Sequence, residues 1–198
     1  MGRPELTIER RNQILDAFER CIIEQGLSKT SVTKVAKAAK VNRGIIHHYI
    51  GDFNDLLSAL MERFIENYRE GFQAHFSGQN PQPDIDALLD YFFDEWPGQT
   101  PNDEIILDAL IAETAHDARL RSLCLEAYST LENGIADVLK RFYPKASEEA
   151  CQAVAYAIMT MAYGSSVMIN FGFARKRILA ARMLATTLIQ TLQTGTEN

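Results

Sequence analysis

From Ala150 to Ala174 the chain runs for 25 residues without a charged side chain. Few arrangements have room for such a segment. As a helix it is long enough to cross a bilayer, and the Arg175-Lys176-Arg177 flank suits the cytoplasmic side. Gln152, Thr160, Ser165, Ser166 and Asn170 argue against hydrocarbon, where such polar groups are costly. A helix buried between other helices, or between two subunits, accounts for the run better. No membrane association is expected.

The rest of the chain is also patterned as helix. No stretch keeps a period-2 alternation, and Gly and Pro fall mostly at plausible breaks. The fold class expected is therefore all-α. Ile14, Ala17, Phe18, Cys21 and Ile22 form the stripe of a core-facing helix over about Thr7–Gln25, which Gly26 ends as a left-handed cap. Thr30 is expected to cap a second helix, Ser31–Ala38, and Asn42 a third, Arg43–Tyr49. Asp52 opens a fourth that reaches about His75. A loop over 77–84 follows, then helices over 84–96, 103–115 and 119–142, with a turn at 97–102. Ser147 opens the uncharged helix, and a last helix spans about Arg177–Leu192.

Composition limits the function classes. The 198 residues suffice for one large or two small domains, and 46% hydrophobic with 23% charged residues describes a soluble globular chain. The polar start, Met1–Gln13, lacks the apolar stretch of a secretory signal, so a cytoplasmic location is expected. Cys21, Cys124 and Cys151 show no metal or redox spacing and read as small buried hydrophobes. No Gly-rich phosphate loop, His–Glu metal motif or nucleophile elbow is present. Neither a cofactor nor an enzymatic activity is expected.

Charge is unevenly placed. Residues 1–57 hold nine Lys/Arg against seven Asp/Glu, and residues 58–198 hold eleven against nineteen, in a chain of net charge −6. Between Leu27 and Ile50 stand Lys29, Lys34, Lys37, Lys40 and Arg43, with no carboxylate. This run coincides with two short helices around a tight turn, the geometry that presents a helix to the DNA major groove. On the third helix Ile46 and Ile50 face the core, while Arg43 and His47, four apart, face outward. Arg43 can place two donors on a guanine, and Ile45 can touch a thymine methyl. Gly44 allows close approach to the duplex, and Asn42 holds a helix start whose free amides suit a phosphate. Ser31, Thr33 and Lys34 are expected to position phosphates, with Thr33 also within reach of a base. His48 and Tyr49 add backbone donors.

Residues 14–57, ILDAFERCIIEQGLSKTSVTKVAKAAKVNRGIIHHYIGDFNDLL, resemble the DNA-binding head of the TetR-type transcriptional regulators. The match lies in Ile-x-x-Ala-x-x-x of the first helix, the following Gly, the Thr-Ser-Val-x-x-Val-Ala pattern and the aromatic end before Leu56-Leu57. The ending is similar to the branch that includes choline-responsive repressors. Two departures stand out. The family's turn glycine is Lys40 here, where a left-handed backbone costs roughly 1 kcal/mol. The family's phosphate-gripping lysine is Phe53.

The resemblance implies about nine helices in two parts: a helix-turn-helix DNA-binding domain over 1–52 and a ligand-binding and dimerisation domain over 53–198. It implies a homodimeric repressor, released from a palindromic operator in double-stranded DNA by a small molecule. Ala162, Ser165, Ser166, Ile169, Leu184 and Leu188 are the expected dimer interface. Phe92, Phe93, Trp96, Ile106, Leu110, Tyr128, Met159 and Tyr163 are expected to line an effector pocket. Aromatic residues interleaved with Asp90, Asp94 and Glu113 favour a cationic or amphipathic effector. The rival is a helical enzyme or small-molecule-binding protein with an incidental basic hairpin.

Overall fold

The computed structural model describes residues 3–76, 85–93 and 101–194. Among them are nine α-helices and no strand: α1 Arg3–Gln25, α2 Val32–Ala38, α3 Arg43–Tyr49, α4 Phe53–Phe76, α5 Ile85–Phe93, α6 Pro101–Glu113, α7 Ala118–Phe142, α8 Glu148–Asn170 and α9 Lys176–Thr194. A single 3₁₀ turn, Leu27–Lys29, follows α1. The expected loop over 77–84 and most of the turn after Trp96 lie outside the described residues. No helix among the described residues is long and apolar enough to cross a membrane.

The helices pack as two units, Met1–Tyr68 with Gln99–Glu126, and Arg69–Gly98 with Ala127–Asn198. The first has its own core of Ile14, Phe18 and Ile22 from α1, Val35 and Ala36 from α2, Ile46 from α3, Leu56 and Leu60 from α4, and Ile106 and Leu110 from α6. The second is built on Leu88 and Leu89 of α5, Ile135 and Leu139 of α7, Ala155 and Ile158 of α8, and Ala185 and Ile189 of α9. Packing therefore groups α6 with the three N-terminal helices, a different division from the functional one drawn at residue 52. Cys21 and Cys151 are buried and Cys124 is half-buried, and burial pushes all three thiols up from their ordinary range.

Local chemistry sets the helix ends. The cap of α2 is Ser31, not Thr30: Ser31 Oγ accepts from Lys34 N at 3.4 Å. Thr30 is buried instead and donates its hydroxyl to the Gly26 carbonyl at 2.9 Å. Gly26, at φ 81 and ψ 156, is in the extended mirror region rather than in a left-handed helical cap. Asp52 and Asp55 form a reciprocal capping box at the start of α4. Asp52 Oδ1 accepts from Asn54 N and Asp55 N, and Asp55 Oδ2 accepts from Asp52 N at 3.0 Å. Gly51, at φ 132, leaves room for this box, because a Cβ there would sit 2.0 Å from Asp55 Oδ2.

The turn between α2 and α3 is a Schellman motif. Val41 N donates to Ala36 O at 2.9 Å and Lys40 N to Lys37 O at 3.2 Å. The motif demands a left-handed residue after Ala39, and Lys40 takes that role at φ 55, the one non-glycine with positive φ among the described residues. The strain anticipated for Lys40 is thus present. Replacing Lys40 with Gly removes about 1–2 kcal/mol of backbone strain against about 0.5–1 kcal/mol of added unfolded-state freedom. The Lys40→Gly protein should therefore unfold at a higher urea concentration than the wild type. A lower midpoint would show that the lysine side chain itself stabilises the turn.

Candidate nucleic-acid interface

All five cations of the run are exposed. No carboxylate among the described residues lies within ion-pair distance of Lys29, Lys37, Lys40 or Arg43. Lys34 is engaged locally, its ammonium donating to the Lys29 carbonyl and to Gln25 Oε1. Its charge is at the surface, but its donors are partly used to finish the 3₁₀ turn.

On α3 the two faces separate as the spacing predicts. Ile46 is fully buried in the first core, and Ile50 is half-buried against it. Arg43, Gly44, His47 and His48 are exposed. Asn42 caps the helix, its Oδ1 accepting from Ile45 N at 3.0 Å. A Cβ on Gly44 would come within 3.2 Å of that Oδ1, so the glycine also protects the cap. Ile45 and Tyr49 are half-buried and pack against the first core, and the Tyr49 ring meets His48 edge-on at 4.9 Å. On α2, Thr33 is exposed, while the Ser31 hydroxyl is committed to its cap. The helix pair thus offers a polar outer surface of Thr33, Lys34, Lys37, Lys40, Arg43, Gly44, His47 and His48. Phe53 stands with the core, half-buried and edge-on to Phe18 at 5.7 Å.

Residues 14–60 match the family described as bacterial regulatory proteins, tetR family. The HTH-type transcriptional regulator BetI of Burkholderia thailandensis is 30% identical over 152 residues, 75% of this chain and 77% of that protein. The chain belongs to the tetR family. The fold agrees: a TetR transcription regulator from Haloarcula marismortui superposes with a TM-score of 0.78 at 14% identity, over 92% of this chain and 97% of that one. The HTH-type transcriptional regulator HbdR of Aromatoleum sp. (strain CIB) is 33% identical over 75 residues, so the chain spans only a third of that relative's length. As a tetR-family member the chain is a DNA-binding, helix-turn-helix transcriptional regulator, and the matched residues 14–60 include α2 and α3.

The other residues singled out in this tetR-family chain divide as follows. Phe92, Phe93 and Met159 are buried in the second core, with Tyr128 packed against it and Tyr163 at its exposed edge, 6.5 Å from Tyr128. Ile106 and Leu110 belong to the first core instead. Of the eight residues expected to line one pocket, the seven described ones therefore fall in two units, and Trp96 lies outside the described residues. A cavity of about 360 Å³ in the second unit is bordered by Ala150, Ala153, Ala157 and Leu188, with none of the seven described ones among its walls. Asp90, expected to favour a cation, is paired with Arg182, as is Asp86. Asp94 is outside the described residues.

Sequence reasoning missed two groups that hold the head together. Arg119 of α7 donates to Asp55 Oδ1 at 3.0 Å and approaches Glu62 at 3.6 Å. The Asp52 backbone N–H, with help from Arg119, holds the Asp55 carboxyl below the usual carboxylate range. This latch is therefore at full strength at neutral pH and is lost only as acid protonates Asp55. The other group is on α1, where Arg11 and Gln13 reach main-chain carbonyls 38 and 26 residues away.

Proposed function

We propose that this tetR-family chain is a homodimeric, ligand-responsive repressor that acts in the cytoplasm on a palindromic operator. Residues 1–52 read the DNA and residues 53–198 bind the effector and form the dimer. The observation that carries the reading is the outer face of α3: Arg43 and His47 stand exposed on the side opposite Ile46, which is fully buried. That arrangement leaves the helix free to enter the major groove while its inner face stays packed.

The dimer face follows from which apolar side chains the chain leaves uncovered. Tyr156, Tyr163, Met168, Phe171, Phe173, Leu179, Met183 and Leu184, all on or between α8 and α9, are among the exposed large hydrophobics. On α8 the positions Ala150, Ala153, Ala157, Thr160, Gly164, Val167 and Phe171 recur at alternating spacings of three and four. This is the seam of a closely packed helix pair, and every member is exposed or half-buried in the single chain. Ser165, Ser166, Ile169 and Leu188 are half-buried, and Leu184 is exposed, so all remain candidates for the interface. Ala162 does not: it is buried in the chain's own core.

The effector reading changes with the packing. Asp86 and Asp90 share a single cation, Arg182. The acidic support for a cationic ligand on α5 is thereby weakened, and an amphipathic effector with apolar contact to the second unit is favoured. Ligand acts by preferring a state in which the two recognition helices no longer match successive turns of the duplex, a coupling of about 1–3 kcal/mol. The test is protection of DNA near this gene by the purified protein. An inverted repeat with half-sites about one helical turn apart, or a multiple of it, is the expected footprint. Uniform weak binding with no protected repeat would reject the reading.

A further inference from the structure

The C-terminal ends of both helices in the helix-turn-helix are closed by their own turn residues and are tied, one carbonyl further on, to α1. The last carbonyls of any helix lack partners inside it. Gln13 Nε2 donates to Ala39 O, at the end of α2, at 2.8 Å. Arg11 Nη1 donates to Tyr49 O, at the end of α3, at 3.0 Å. The amide of Gln13 is oriented from its other side, because its Oε1 accepts from Arg10 Nη1 at 2.6 Å. All three side chains are half-buried, next to Ile14 and Leu15 in the first core.

We propose that Arg11 and Gln13 are positioning residues for operator reading. From one rigid helix they fix where α2 stops and where α3 stops. They thereby set the angle at which Arg43 and His47 meet base edges. The inference rests on the reading that α3 enters the groove. The chemistry is directional. Gln13 needs a donor toward Ala39 and an acceptor toward Arg10, which only an amide supplies. A glutamate of the same shape keeps the Arg10 contact and turns an acceptor against the Ala39 carbonyl. Arg11 needs one donor toward Tyr49, which a lysine of similar length retains. Specificity depends on the geometry of base contacts, whereas affinity for any duplex depends on phosphate charge. Loosening the clamp should therefore cost selectivity before it costs general affinity.

The experiment compares wild type, Gln13→Glu, Gln13→Met, Arg11→Met and Arg11→Lys as full-length proteins. Affinity is measured for the footprinted operator and for a scrambled duplex of equal length, each at several salt concentrations. The operator-over-scrambled ratio should fall about 2- to 10-fold in Gln13→Glu, Gln13→Met and Arg11→Met, the range of one lost hydrogen bond. Arg11→Lys should restore most of it, and the salt slope should hold in Gln13→Met and Arg11→Met. Without DNA, amide exchange at Val41 and Gly51, whose N–H groups close the two helix ends, should quicken in Gln13→Met and Arg11→Met respectively. An unchanged ratio in these variants, beside a selective wild type, overturns the proposal and leaves the repressor reading intact. A slope shallower by about one unit in Arg11→Met makes that residue a phosphate contact and also overturns the assignment. A wild type with no operator preference removes both readings.

Discussion

A Thr160→Arg protein should sediment as a folded monomer at concentrations where the wild type is a dimer. Thr160 is exposed at the middle of the α8 seam, and its hydroxyl bonds only the carbonyls of its own helix, Tyr156 and Ala157. The single chain therefore loses little when the residue changes, and its helical circular dichroism should be preserved. A charge buried without a partner costs about 3–5 kcal/mol, and two-fold symmetry brings in two of them. A loss of even 3 kcal/mol raises the dissociation constant more than about 100-fold. Leu184→Glu on α9 should act in the same way, because Leu184 is 60% exposed in the single chain. Ser129→Arg, on an exposed part of α7, should leave the dimer intact. At Gly164 a Cβ would meet nothing within 4 Å in one chain, so the proposed seam has open space there for a partner helix. A Thr160→Arg protein that remains a dimer by sedimentation would move the interface elsewhere.

Helices were legible where strong local chemistry marks their ends. The start of α3 follows from Asn42 before it, and the structure has the helix over Arg43–Tyr49 as expected. The start of α1 lies at Arg3, about a turn before the Thr7 expected from the sequence. Its first turn carries no apolar stripe, and Pro4 is tolerated there because first-turn amides have no helical partner. Thr30 and Ser31 are adjacent hydroxyls of equal capping chemistry. Only the fold decides that Thr30 turns back to Gly26 and leaves Ser31 to cap.

The site was legible in part for the same reason. The two faces of α3 are a local property, so the burial of Ile46 and the exposure of Arg43 could be read from spacing of three and four. The clamp from α1 could not, since its acceptors are main-chain carbonyls that any sequence supplies. The uncharged helix gave its length but not its orientation. With no charged face to mark solvent, the sequence puts Ala162 on the interface, whereas it lies on the same inner stripe as Cys151, Ala155 and Ile158. The expected pocket residues share aromatic and apolar type, and type alone does not separate two cores. Ile106 and Leu110 join the first core, where α6 packs on α1, a long-range choice that periodicity within α6 does not encode.

Arg43 and Lys34 should part company when each is replaced by Ala. Arg43 is exposed in the first turn of α3, with no ion pair to hold it back among the described residues. A bidentate contact to a guanine is worth about 1–3 kcal/mol against the wrong base. Arg43→Ala should weaken operator binding by that amount per half-site and relax preference at one base pair in each. Lys34 lies on α2, where a phosphate contact carries no base information, and its ammonium is already shared with Lys29 O and Gln25 Oε1. Lys34→Ala should weaken all sequences alike and flatten the salt slope by at most about one unit. Lys145, exposed between α7 and α8, is the control of equal charge in the acidic part of the chain, and its replacement should change neither quantity. Lys140 would not serve, because its ammonium holds the Ala146 carbonyl at 2.6 Å. The measurement is affinity for a set of operators mutated one base pair at a time, at several salt concentrations. If Arg43→Ala leaves the pattern of base preference unchanged, α3 does not read through Arg43. If Lys34→Ala and Lys145→Ala then behave alike, the basic helix pair is not the face that meets DNA.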